Sequence, residues 1–176
     1  MARRPKKGGE PDLTGTRSEG YLLTLQKDLQ DIREMEKVQN LKMTFPDPSD
    51  ITHFIIDIGI TSGIYKGGHF KFDFKIPPGF RAEKPIVRIL TKIWHPNIME
   101  PKDGGEICLS VLRKEYRPAN PLRIIVDGLV FLFIQPNPND PLNIPAAQQM
   151  LTNLPGFKAK VEEYMQEVAE MEDEDE

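Results

Sequence analysis

The run Phe70-Lys71-Phe72-Asp73-Phe74-Lys75-Ile76 alternates a large apolar side chain with a charged one. Successive side chains of a strand point to opposite faces, so a period of two marks a β-strand with one buried face. Just before it, Ile64-Tyr65-Lys66-Gly67-Gly68-His69 supplies a Gly-Gly turn, and Phe54 to Ile60 is apolar and β-rich. Leu41 to Phe45 is a shorter candidate strand, closed by Pro46-Asp47-Pro48-Ser49-Asp50, a turn by composition. Ile86 to Leu90 makes a fourth strand after Pro77-Pro78-Gly79 and Pro85. Connections this short join antiparallel neighbours, because parallel strands need long crossovers. The expectation is a four-stranded antiparallel meander whose phenylalanine face requires a cover.

Helices are the available cover. From Gly20 to about Val38, Leu22, Leu25, Leu29, Ile32 and Met35 recur at spacings of three and four, with Gln26, Lys27, Asp28, Gln30 and Arg33 on the other side. That is one amphipathic helix, and Ser18 is its candidate N-cap. Leu122 to Ile134 is apolar nearly all round, which predicts a buried helix. Pro145 to Leu151 reads as a short helix with proline in its first turn. Phe157, Val161, Tyr164, Met165 and Val168 give a last amphipathic helix that dissolves into Glu172-Asp173-Glu174-Asp175-Glu176. Helix, four strands, a long loop, then three helices is an α+β order.

A chain of 176 residues is long enough for one well-buried core and short for two. Apolar residues at 39% and charged residues at 28% fit a globular domain. No stretch approaches the roughly 18 consecutive apolar residues of a membrane span. The opening Met-Ala-Arg-Arg-Pro-Lys-Lys lacks the apolar run of a secretory signal. The single cysteine excludes an internal disulfide and any multi-cysteine zinc site. An intracellular, reducing compartment is therefore the natural reading. Cytoplasm and nucleus are the expected location, and no metal or organic cofactor is expected.

The net charge of -4 is unevenly spread. Residues 1–20 hold five basic and three acidic groups, and residues 170–176 hold six acidic ones. The remainder is balanced, 18 against 18, so the body has no basic excess to drive nucleic-acid binding. Residues 1–19 are too polar to offset the entropy of ordering and read as a disordered basic arm. Residues 20–169 read as the core domain, and 170–176 as a solvated acidic tail.

Thr91 to Pro121 is a loop too long to lack a purpose in a compact domain. It holds the only cysteine, the only tryptophan, and one of three histidines. Cys108, in an Ile-Cys-Leu setting, is either a small buried hydrophobe or a nucleophile. A cysteine protease needs a histidine base beside the sulfur, and His95 is the candidate nearby in sequence. A His95 ring bonded to loop backbone is the competing reading.

Three motifs in order sharpen this: His95-Pro96-Asn97, Gly105-Glu106-Ile107-Cys108-Leu109, and Pro136-Asn137-Pro138-Asn139-Asp140-Pro141-Leu142. Together they resemble the core of the ubiquitin-conjugating enzyme family, over about residues 20–168. The nearest branch is the neddylation-conjugating one, on Leu25-Gln26-Lys27-Asp28, Gly63-Ile64-Tyr65-Lys66-Gly67-Gly68, Ile107-Cys108-Leu109-Ser110-Val111-Leu112-Arg113 and Leu132-Phe133-Ile134-Gln135-Pro136-Asn137-Pro138. The resemblance implies that Cys108 accepts a ubiquitin-like modifier from an activating enzyme as a thioester. It implies that Asn97 stabilises the oxyanion or orders the active-site loop, and that Asp140 orients the substrate lysine. Structural alternatives are that Asn97 only ties down its loop and Asp140 only shapes the turn.

Partner surfaces implied by the same resemblance are Lys27 for the activating enzyme and Pro118 and Ala119 for a RING-type ligase, with cullins as substrate and the carrier a monomer. Two positions depart from the family: Thr24 replaces a basic residue, and Ala82 stands where many ubiquitin-type members carry an aromatic ligase contact. Asn97 and Cys108 are eleven apart, about three more than usual in the family, because Met99-Glu100-Pro101-Lys102-Asp103-Gly104 is longer. The extra residues are expected to bulge outward and leave the site intact, since lengthening a loop costs little. The competing functions are a ubiquitin carrier with the same mechanism and a non-catalytic binding module of the same fold.

Overall fold

Phe70, Phe72 and Phe74 point inward, none more than 2% exposed, while Lys71, Asp73 and Lys75 between them are half-buried on the outer face. The computed structural model describes residues 19–174, with the backbone alone for 172–174. Its elements are α1 (Glu19–Glu36), β1 (Leu41–Thr44), β2 (His53–Gly59), β3 (His69–Lys75), β4 (Ile86–Ile89), α2 (Leu122–Ile134), α3 (Ile144–Thr152) and α4 (Leu154–Glu174). The Ser18 cap, the basic arm except Glu19, and the end of the acidic tail lie outside the described residues.

The sheet is the expected meander, ordered β1-β2-β3-β4 with every neighbour antiparallel. Its register sets Phe54, Ile56 and Ile58 opposite Phe74, Phe72 and Phe70. Both strands therefore bury one common face, and a slip of one residue would turn that face to solvent. Leu25, Leu29, Ile32 and Met35 of α1 are buried in the same core, as is Phe133 of α2, which stacks on Phe70 at 4.5 Å between centroids. Burial of a phenylalanine such as Phe72 contributes about 1.5–3 kcal/mol.

Several features differ from the sequence reading. Helix α2 is not buried all round: Phe131 and Ile134 are 55% and 45% exposed, while Ile125, Val126, Leu129 and Phe133 face the core. Apolar content gave no stripe to read, and only the packing distinguishes the faces. Asp28, read as part of the polar face of α1, is 1% exposed. Its carboxylate pairs with Arg81 at 2.7 Å and accepts the Leu122 amide at 3.2 Å. Pro121 offers that helix start no side-chain cap, so Asp28 serves α2 from another element. Burial pushes the Asp28 carboxyl up from its usual 3.8, with Arg81 pulling the other way. Arg81 itself has a φ of 82°, an uncommon backbone region for a side-chain-bearing residue. Helix α4 continues into the acidic run as far as Glu174. Two short 3-10 turns, Pro101–Asp103 and Ser110–Leu112, punctuate the stretch read as loop.

Candidate functional site around Cys108

The long loop folds back on itself as a narrow hairpin. Ile98 and Ile107 form an antiparallel bridge, and the Met99 amide donates to the Glu106 carbonyl at 2.9 Å. At the base of the hairpin the Cys108 amide donates to the Asn97 carbonyl at 2.8 Å. The tip is closed by Gly104 N–H to Pro101 O at 3.0 Å and Gly105 N–H to Glu100 O at 3.1 Å. The extra residues are thus taken up beyond the paired segment, and Asn97 stays joined to Cys108.

Gly105 pins this hairpin to the sheet. Its carbonyl accepts the Ile89 amide of β4 at 3.0 Å, which pairs part of the sheet edge. Its φ is 62°, and a Cβ there would lie 2.6 Å from the Ile89 carbonyl oxygen. Only glycine tolerates both the left-handed backbone and the close approach.

His95 is wholly buried and cannot serve the cysteine. Its Nε2–H donates to the Leu132 carbonyl at 3.1 Å, and its Nδ1 accepts the Asn97 amide at 2.9 Å. Burial holds its pKa down at about 3, against a smaller opposing effect of the Leu132 bond. The ring is a neutral strut, stacked on Tyr65 at 5.0 Å. Of the two readings of His95, the backbone-bonded one holds.

Asn97 straps a second loop into place. Its Nδ2 donates to the carbonyls of Asn137 at 2.8 Å and Asp140 at 3.1 Å, and its Oδ1 accepts the Asn137 amide at 2.8 Å. Both amide hydrogens are therefore engaged in this arrangement. The amides of Leu142 and Asn143 both donate to the Pro96 carbonyl at 2.9 Å, so the Pro-rich loop is tied down twice. This sets the exposed Asp140 side chain on the same cleft as Asn97 and Cys108.

Cys108 is half-buried and stands where two clefts meet. One, of about 540 Å³, runs along Pro85 to Arg88 beside Ile107 and Leu142. The other, of about 400 Å³, is floored by Leu132 and Phe131 and flanked by Asn97, Asn137 and Asp140. Arg113 borders both, and its Nη1 lies 2.8 Å from Cys108 Sγ. The Ser110–Leu112 turn brings it there, through an Arg113 amide bond to the Ser110 carbonyl at 2.9 Å. In the sequence Arg113 stands only as part of a motif, and nothing in the spacing announces a turn that returns it to the sulfur.

The remaining sites named from sequence lie on other surfaces. Lys27 is exposed on α1 beside the buried Asp28. Pro118 and Ala119 are exposed, and Arg81 Nη1 donates to the Pro118 carbonyl at 3.4 Å and to that of Asn120. Tyr116 donates its hydroxyl to the Arg81 carbonyl at 3.3 Å, which braces the same loops. Among the described residues, no three His, Cys, Asp or Glu side chains cluster as metal ligands, and no helix is long and apolar enough to cross a membrane.

Comparison with known proteins places this geometry. Residues 24–165 match the family model described as ubiquitin-conjugating enzyme. The NEDD8-conjugating enzyme UBC12 of Yarrowia lipolytica is 40% identical over 144 residues, 81% of this chain and 76% of the relative. The Nedd8-conjugating enzyme UbcE2M of Drosophila melanogaster is 34% identical over 165 residues, 94% of this chain and 88% of the relative. The solved E2 domain of a Toxoplasma gondii ubiquitin-conjugating enzyme superposes with a TM-score of 0.72 at 31% identity, covering 82% of this chain and 96% of that one. With its four-stranded meander, four helices and cysteine-bearing loop, the chain belongs to the ubiquitin-conjugating enzyme family, whose members are transferases that work through a cysteine thioester.

Proposed function

We propose that this chain is a carrier for a NEDD8-type modifier, taking it from an activating enzyme onto Cys108 and passing it to a substrate lysine. The observation that carries the reading is a half-buried cysteine at the junction of two clefts with no histidine base. A protease must activate its thiol against an unactivated amide, which is why it keeps a base beside the sulfur. Exchange between thioesters starts from an activated acyl group and needs none. Two clefts suit two reactants, the modifier's extended C-terminus in one and the lysine in the other. Asp140, exposed beside Cys108, would orient the amine and take its proton. Asn97 would act by holding the Asn137–Asp140 loop, since its amide hydrogens serve that loop.

The modifier choice rests on the curated relatives, and both of those described above are named for NEDD8. In this reading Lys27 contributes to the activating-enzyme surface, and Pro118 and Ala119 to a RING-type ligase surface. Cullin lysines are the substrate, the carrier works as a monomer, and the reaction runs in cytoplasm and nucleus. A ubiquitin carrier with the same chemistry is the second reading, favoured by the Toxoplasma structure's name.

A charging assay on a non-reducing gel tests both. The chain and Cys108→Ala meet ATP with the NEDD8 pair or the ubiquitin pair of activating enzyme and modifier. A thiol-sensitive band with the NEDD8 pair alone, absent in Cys108→Ala, is expected. A band with ubiquitin alone would keep the chemistry and change the modifier. No band with either would favour a binding module.

A further inference from the structure

We propose that Arg113 is the charged donor that faces the reacting thioester, a role that rests on Cys108 being the carrier residue. In the free chain its Nη1 lies 2.8 Å from Cys108 Sγ. Once the sulfur is acylated, the acyl carbon is bonded to Sγ and its carbonyl oxygen lies within reach of the same guanidinium. Asn97, which supplies a side-chain amide to the same cleft, has both Nδ2 hydrogens on the carbonyls of Asn137 and Asp140. Using it at the oxyanion would release the loop that presents Asp140. Arg113 carries no such obligation. Its guanidinium is exposed, its contact is with the sulfur, and it borders both clefts.

The step balances as follows. The neutral lysine nitrogen attacks the thioester carbon, a C–N bond forms, and the carbonyl electrons move to oxygen. Arg113 donates a hydrogen bond to that oxyanion and keeps its own proton, as an arginine does at any working pH. The amine's proton passes to the Asp140 carboxylate or to water. The electrons then return, the C–S bond breaks, and sulfur leaves as a thiolate facing the same guanidinium. Arg113 thus meets the negative charge on oxygen and then on sulfur.

Single-turnover discharge of the preformed thioester to free lysine tests this, for the parent chain, Arg113→Ala and Arg113→Lys. Arg113→Ala is expected to lower the rate at saturating lysine by about ten- to a hundredfold, a discounted oxyanion-donor effect because the group is exposed. The half-saturating lysine concentration stays within about twofold, since the donor acts on the acyl group and not on lysine binding. Arg113→Lys recovers part of the rate, which a packing defect would not. Parental discharge by Arg113→Ala overturns the proposal, as does a loss seen only in half-saturation. A parent chain that takes no thioester from either activating pair overturns the functional reading and this proposal with it.

Discussion

The amide of Cys108 and the carbonyl of Asn97 are joined by a 2.8 Å hydrogen bond, although eleven positions separate the residues in the chain. Backbone pairing at the base of a hairpin makes their distance independent of what lies at the tip. Residues Met99–Gly104 lie beyond this bond, toward the tip of the hairpin, so Asn97 and Cys108 stay joined whatever the tip's length.

Gly105 is where that hairpin is most sensitive. Gly105→Ala places a Cβ 2.6 Å from the Ile89 carbonyl oxygen at a φ of 62°. The loss is expected to be about 1–3 kcal/mol of stability, by strain and displaced packing. Urea melts would show a lower midpoint, and thioester charging should fall with it. Gly104→Ala, at a φ of 103° but with open space around it, should cost less.

His95 makes stability depend on pH. Its folded pKa is depressed from 6.5 to about 3. Below about 6.5 the unfolded chain binds a proton that the folded chain refuses, so stability is lost as pH falls toward 3. Between pH 7 and pH 5 the loss from this group is about 2 kcal/mol. Asp28 has the opposite sign: its raised pKa contributes stability below 3.8 that is lost as pH rises through the folded value. The two groups pull in opposite directions as pH falls, so comparing the parent chain with His95→Gln isolates the histidine. An equal pH 7 to pH 5 drop in His95→Gln would refute this assignment.

Asp28 and Arg81 should matter to the fold more than their charges suggest. Asp28→Ala strips Arg81 of its 2.7 Å partner and leaves the Leu122 amide without its acceptor. A destabilisation of about 2–4 kcal/mol is expected, because buried polar groups are orphaned. Chemical denaturation measures it directly. Asp28→Asn should cost less, since an amide oxygen can still accept from Leu122.

Asp140→Asn tests the role proposed for this carboxylate in the second half of the reaction. The variant should form the thioester at the parental rate, because no lysine takes part in charging. Its discharge to lysine should slow by about ten- to a hundredfold, the range of lost proton-transfer help. A pulse-chase gel reads both steps on one sample. Equal slowing of the two would mean that the side chain only shapes its turn.

Much of this was written in local pattern. The alternation Phe70-Lys71-Phe72-Asp73-Phe74 and the short turns around it determined a four-stranded antiparallel sheet, because side-chain direction in a strand is fixed by covalent geometry. The α1 stripe from Leu25 to Met35 and the bounds of α2 followed from helical period and apolar run in the same way, although Leu22, read with that stripe, is 36% exposed. Cys108, Asn97 and Asp140 were legible as residue types in three ordered motifs, and they do line one cleft. What only the tertiary structure decided lies in groups whose partners are distant in sequence. Asp28 is buried because Arg81 and Leu122 complete it from 53 and 94 positions away. Phe131 is exposed because the layer packed on α2 covers one side of it. Asn97 turns to the Asn137–Asp140 loop, and Arg113 reaches the sulfur through a turn that no periodicity marks. Periodicity encodes which way a side chain points along its own element. Hydrogen bonding and burial depend on what the folded chain brings to meet it.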